Sequence, residues 1–118
     1  MNQDDEEVQA TLQRIGVPTA QRHAFLCTGP ECCTTAEGEG TWNALKAQLK
    51  AAGVPVLRSK AACLRVCNRG PWLLVYPEGT WYPEVTPERC ARIVAEHLVG
   101  GRPVEEWAVA RHALKPQG

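Results

Sequence analysis

The feature that most constrains this chain is the placement of its cysteines. There are six in 118 residues, and four of them form two close pairs. Cys27 and Cys32 are separated by four residues, Cys63 and Cys67 by three. Each pair sits in a loop after a short apolar run. Two such loops must converge if their thiols share one guest. A single cysteine is often a small core residue and says little. Two pairs in two loops point instead to metal binding or thiol chemistry. The length allows one domain with one core. With 44% hydrophobic and 22% charged residues, the composition is that of a soluble globular protein rather than a disordered one.

The pattern along the chain predicts the elements that carry those loops. Residues 4–14 form a short helix, with Val8, Leu12 and Ile15 at near-helical spacing and acids at its start. Residues 23–27 (HAFLC) read as a buried strand, followed by a loop over 28–40. Residues 41–52 form an amphipathic helix with Trp42, Leu45, Leu49 and Ala52 on one face, stopped by Gly53. Residues 54–57 form a second strand, and the second cysteine loop follows. The apolar run 72–76 and residues 80–85 make a hairpin around Pro77-Glu78-Gly79, where proline presets its φ and glycine supplies a positive one. Thr86 and Pro87 cap a last helix that runs to about Val99, with Cys90, Ile93, Val94, His97 and Leu98 as its buried stripe. Trp107 draws the tail back onto the body. The order β-α-β-β-β-α predicts an α/β, thioredoxin-like fold: a mixed four-stranded sheet flanked by two main helices. If the first two strands are parallel, as a βαβ connection favours, both cysteine pairs emerge at one edge of the sheet.

Charge narrows the function classes. The formal net charge is zero, which argues against a general nucleic-acid binder. The balance conceals segregation. No Asp or Glu lies between Gly40 and Pro77, while Lys46, Lys50, Arg58, Lys60, Arg65 and Arg69 do. The acids gather at Asp4, Asp5, Glu6 and Glu7 and at Glu31, Glu37 and Glu39. The acidic start is unlike a secretion signal, and no apolar run approaches a membrane span. The expectation is a cytoplasmic protein without membrane or nucleic-acid partners. In a reducing compartment, six cysteines are not a disulfide framework by default.

Four thiolates converging from two loops suit a pair of irons bridged by sulfide. They also suit a closed structural zinc site, although a three-residue gap is less usual there than two. A thiol–disulfide enzyme is a weaker fit, because no Cys-X-X-Cys stands between the first strand and its helix. If residues 63–67 form a helical turn, Cys63 and Cys67 face the same way.

The chain resembles the thioredoxin-like 2Fe-2S ferredoxins. The resemblance rests on His23-Ala-Phe-Leu-Cys-Thr-Gly-Pro-Glu-Cys32, Cys63-Leu-Arg-Val-Cys67 with Asn-Arg-Gly-Pro after it, Val75-Tyr-Pro-Glu-Gly-Thr-Trp-Tyr82, Val85-Thr-Pro-Glu-Arg89 and Glu96-His-Leu-Val-Gly-Gly-Arg-Pro-Val104. It implies one 2Fe-2S cluster on Cys27, Cys32, Cys63 and Cys67, low-potential one-electron transfer rather than bond chemistry, and a homodimer. A reductase would load the carrier and a client oxidoreductase would drain it. The family's spacing selects Cys32, although Cys33 follows it directly. The alternatives are a zinc-binding structural or interaction module and a cluster-based redox sensor or cluster-transfer protein. The organisation expected is an N-terminal extension over 1–22, the cluster domain over 23–104 and a tail over 105–118.

Other residues read more plainly. Cys90 is a core residue, and His97 a partly buried, hydrogen-bonded histidine. Arg58, Lys60, Arg65 and Arg69 flank the second pair, where positive charge would favour the reduced cluster and steer an acidic partner. Trp72 follows the second loop closely enough to screen the site from water. Tyr76, Trp81 and Tyr82 are candidates for a dimer face, with core packing the first reading of each taken singly.

Overall fold

The computed structural model describes residues 2–117. Helix α1 (Gln3–Ile15) precedes strand β1 (His23–Cys27), helix α2 (Thr35–Ala52) and strand β2 (Leu57–Ala61). Strands β3 (Leu73–Tyr76) and β4 (Thr80–Tyr82) form the hairpin, and helix α3 (Pro87–Ile93) continues as a π-helical segment, Val94–Val99. A short strand β5 (Ala110–Arg111) follows. The sheet order is β2-β1-β3-β4-β5, with β1 and β2 parallel and the other pairings antiparallel. The expected mixed sheet and helix order are present. The sheet has five strands rather than the four expected: β5 lies in the expected tail, where two residues carry no period.

Alternation along the strands sorts the core. Ala24, Leu26, Leu73, Val75 and Tyr82 are buried together with Leu45 and Leu49 of α2 and Cys90 and Ile93 of α3. Helices α2 and α3 pack on each other over this layer. The other strand positions, Phe25, Leu74, Tyr76 and Trp81, lie on the opposite face. Leu74 is buried there, while the three aromatics are half-buried. Tyr82 therefore belongs to the core, not to a dimer face: its side chain is fully buried.

That burial is tolerable because the hydroxyl is fully used. It accepts the Val104 N–H at 2.8 Å and donates to His97 Nδ1 at 2.8 Å. The His97 Nε2–H then donates to Glu78 at 3.0 Å, and Glu78 also takes Arg22 at 2.7 Å. His97 is completely buried rather than partly so. This network fastens the hairpin, the end of α3 and the Val104 segment to one another.

Three element boundaries differ from expectation, one of them β4, which ends at Tyr82 rather than residue 85. Helix α2 begins at Thr35 rather than residue 41. Thr34 and Glu37 form a reciprocal capping box, each side chain accepting the other's backbone N–H at 3.0 and 2.9 Å. The glycines of this stretch masked it as loop. Strand β2 is Leu57–Ala61, not 54–57. Val54 and Pro55 looked strand-like by apolarity, but the paired residues alternate half-buried and exposed, as on a polar edge strand. Helix α1 forms as expected, yet none of its residues is buried, and Val8 and Ile15 are half exposed. The hairpin turn matches expectation, with Gly79 at φ +70°. A Cβ there would overlap the His112 carbonyl, where the tail closes over the turn.

Candidate metal centre

Both cysteine loops leave the same edge of the sheet. Cys27 ends β1, and Cys63 follows Ala61 at the end of the parallel neighbour β2. Backbone bonds hold the two exits together. Thr28 N–H donates to the Ala61 carbonyl at 2.8 Å, and Gly70 N–H donates to the Cys32 carbonyl at 2.8 Å. Gly70 is required at that closure. A Cβ would lie 2.6 Å from the Cys32 carbonyl oxygen.

The thiols divide by depth. Cys27 and Cys32 are buried with their Sγ atoms 2.7 Å apart, whereas Cys63 and Cys67 are exposed. The loop 63–67 is irregular, not a helical turn. Its left-handed Arg65, at φ +72°, aims the Arg65 N–H at Cys63 Sγ, 3.0 Å away. The Trp72 N–H donates to Cys27 Sγ, also at 3.0 Å. Both donors favour negative charge on sulfur. Trp72 is buried against Cys27 and Cys32, and its ring meets Trp81 edge-on at 6.0 Å. It covers the inner thiols as its sequence position suggested.

Cys33 is oriented differently. Its Sγ lies 3.7 Å from that of Cys32, with Glu37 and the Gly38 amide at the start of α2 also beside it, and its charge is felt at Cys27 as well. Cys32 instead faces Cys27 and lies near enough to Cys67 for its charge to be felt there. Cys90 is far from chemistry, fully buried in the core layer. His97 serves the core network, and His23 bonds Ser59 at 2.9 Å and stacks on Phe25.

One nearby side chain escaped the sequence reading. The Glu31 carboxylate is 3.9 Å from Cys67 Sγ and forms a compact donor set with Cys63 and Cys67, all within 4.8 Å. Its position next to Cys32 was the available signal.

The thiols repel one another as anions. Burial, then the contact with Cys32, pushes Cys27 up to about 12, against the pull of the Trp72 N–H. Burial and Cys32 likewise push Cys33 to about 11. At the surface, Cys63 foremost, with Glu31 and Cys32 behind it, raises Cys67. A cation relieves such crowding, because metal ligation and loss of the thiol protons are coupled. Four soft sulfurs from two tied loops, two of them with amide donors, fit an iron–sulfur cluster by donor chemistry.

No family model matches the chain. It is 31% identical over 96 residues to a protein of Priestia megaterium named "Putative 2Fe-2S ferredoxin", covering 80% of this chain and 75% of that one. It is 45% identical over 56 residues to a 2Fe-2S ferredoxin of Aquifex aeolicus, 48% of this chain and about half (49%) of that relative's length. In structure it is similar to a thioredoxin-like [2Fe-2S] ferredoxin from Aquifex aeolicus. The TM-score is 0.70 at 29% identity, over 82% of this chain and 96% of that one. With sequence likeness over three quarters of one relative and the same fold over nearly all of another, the chain belongs to the thioredoxin-like 2Fe-2S ferredoxin family.

Proposed function

We propose that this protein is an electron carrier, not an enzyme, which binds one 2Fe-2S cluster through Cys27, Cys32, Cys63 and Cys67. The observation that carries this reading is that both cysteine loops leave one edge of the sheet, with their backbones tied by the Gly70–Cys32 bond; Cys27 meets Cys32, and Cys63 meets Cys67. Bound there, the cluster supplies a one-electron couple. The chain's own residues do the rest. Trp72 excludes water from the inner sulfurs, the amides of Trp72 and Arg65 stabilise sulfur charge, and the exposed Cys63–Cys67 loop offers the shortest path to a partner.

The second ligand is Cys32 in this reading, because Cys33 turns toward Glu37 and Gly38. Residues 23–104 form the cluster domain, residues 1–22 an extension, and the segment 105–118 a tail that contributes β5. A reductase loads the carrier and an oxidoreductase drains it. The reducing cytoplasm suits a site of free thiols. A homodimer would use the sheet face of Phe25, Tyr76 and Trp81, whose aromatics are only half-buried.

Anaerobic purification tests the reading. A red-brown protein with two irons and two sulfides per chain, and a paramagnetic signal after dithionite, is expected. A colourless protein with one zinc per chain would overturn it. Cys32→Ser should lose or alter the cluster spectrum, while Cys33→Ser should leave it intact. Sedimentation equilibrium checks the dimer.

A further inference from the structure

The charge segregation seen in the sequence acquires a location in the fold. Between the end of α1, the outer side of α2 and the start of β2 lies an open groove of about 700 Å³. Arg14, Lys46, Lys50 and Arg58 line it, with Ile15 and Val54 as apolar floor, and no carboxylate contributes to its walls. All four cations are exposed. Among the described residues, none of them has a carboxylate within ion-pair distance. Arg22, Lys60, Arg69, Arg92 and Arg111 each do. Lys46 and Lys50 are spaced i, i+4 on one helix, an arrangement that is mildly unfavourable without an anion to share.

The groove's Arg58 wall belongs to the strand that leads to the candidate metal centre. Strand β2 is an outer strand of the sheet, and its exposed positions are Arg58 and Lys60. Both lie over the Trp42 ring at 5.7 Å. Ala61 stands three positions after Arg58, roughly 10 Å along the strand, and Cys63 is two residues further on. An occupant that extends past Arg58 along β2 approaches the exposed thiols.

We propose that this groove docks an acidic protein surface, belonging to a redox partner, and so sets which face of the partner meets the cysteine edge. The inference rests on the electron-carrier reading. Charge complementarity selects the occupant: four unpaired cations around an apolar floor fit a helix or loop that presents several carboxylates around an apolar residue. A nucleic acid fits less well. The groove offers no exposed aromatic platform, the net charge is zero, and Asp4, Asp5, Glu6 and Glu7 occupy the far end of α1.

The test uses holoprotein and an acidic flavoprotein carrier, flavodoxin, as probe. Fully reduced flavodoxin gives one electron to each oxidised holoprotein, and stopped-flow absorbance reads the bimolecular rate over a salt series. Lys46→Glu/Lys50→Glu should slow this transfer about 10-fold or more at low salt and flatten its salt dependence. The charge-matched Arg102→Glu/Lys115→Glu should change it less than about 3-fold. Dithionite should reduce all three proteins equally. Equal slowing by both variants would reduce the effect to net charge and overturn the proposal, as would no slowing by either. Salt-reversible self-association of the wild type, lost in Lys46→Glu/Lys50→Glu, would assign the groove to a second copy's acidic N-terminus. Binding of a fluorescent oligonucleotide, lost in the same variant, would assign it to nucleic acid. Either overturns the proposal. A colourless, iron-free preparation would fail the carrier reading alone. Flavodoxin is then titrated into isotope-labelled protein: amide shifts at Lys46, Lys50 and Arg58 support docking, and their absence overturns it.

Discussion

Replacing Gly70 by alanine probes the closure of the two cysteine loops with a single methyl group. Its backbone is not in the left-handed region, so alanine's own conformation is not at issue. The obstacle is space. The new carbon would lie 2.6 Å from the Cys32 carbonyl oxygen and 2.9 Å from its carbonyl carbon and Cβ. Ordinary contact is near 3.5 Å, so the loops must part by about 0.9 Å. The neighbour is backbone and cannot swing aside. Parting weakens the 2.8 Å bond from Gly70 N–H to Cys32, with a net worth of about 1 kcal/mol. Strain from overpacking adds about 1–3 kcal/mol, for a total of about 2–4 kcal/mol. With 118 residues, the unfolding entropy is about 0.25 kcal/mol per kelvin, so Tm should fall by about 8–16 °C. Gly40→Ala is the internal control. It lies inside α2 with nothing within 4 Å of an added Cβ, and should raise Tm by about 2–4 °C through helix propensity. Far-ultraviolet circular dichroism of metal-free protein reads both shifts. Iron and sulfide per chain after reconstitution should fall for Gly70→Ala alone. If Gly70→Ala matches wild type in Tm and iron content, the reasoning about loop closure is wrong.

Three further outcomes are expected. Cys90→Ala should retain full iron stoichiometry while losing about 1 kcal/mol of stability, because this thiol is wholly buried and held up at about 12 by burial; loss of iron would contradict its assignment to the core. Burial holds His97 below its ordinary value of 6.5, against the pull of Glu78, so as pH falls through 6.5 the unfolded chain takes up a proton that the folded chain does not. Stability should therefore rise with pH across that range, and denaturant titrations of His97→Gln should show a flatter profile than wild type. Arg65→Glu should lower the reduction potential more than Arg69→Glu, because Arg65 stands between Cys63 and Cys67 with its N–H on Cys63 Sγ, whereas Arg69 lies outside that pair and turns its guanidinium to Glu84. Spectroelectrochemical titration giving the reverse order would contradict this.

Much of the fold was legible because its signals are local. The hairpin at Pro77-Glu78-Gly79 announced itself through turn chemistry, and α3 through Thr86 and Pro87 at its start. What misled was composition at two places. Glycines hid a helical turn that Thr34 and Glu37 had already specified by their spacing. Apolar Val54 and Val56 drew the second strand away from Leu57–Ala61, whose polar residues reflect an edge strand rather than a loop. Tyr82 had two readings, a dimer face for the aromatic cluster around the hairpin and core packing for the single residue; the burial alternation of β4 sends it inward with Thr80 and selects the core.

The site was legible in its residue types but not in its closure. Spacing named the two cysteine pairs, and parallel β1 and β2 placed both exits together. Two things had no side-chain signature. One is the pair of backbone bonds, Thr28 to Ala61 and Gly70 to Cys32, that bring the loops into register. Backbone groups are the same in every residue, so such bonds leave a trace only where a neighbour must be glycine, as at Gly70. The other is the divergence of Cys32 from Cys33. Adjacent side chains leave the backbone in different directions, so one faces Cys27 while the other faces the start of α2. The capping box fixes Thr34 as the first residue outside α2, which leaves Cys33 beside the start of that helix. The unread helix start and the question of the second cysteine meet at the same place in the chain, because Cys33 directly precedes the capping residue Thr34.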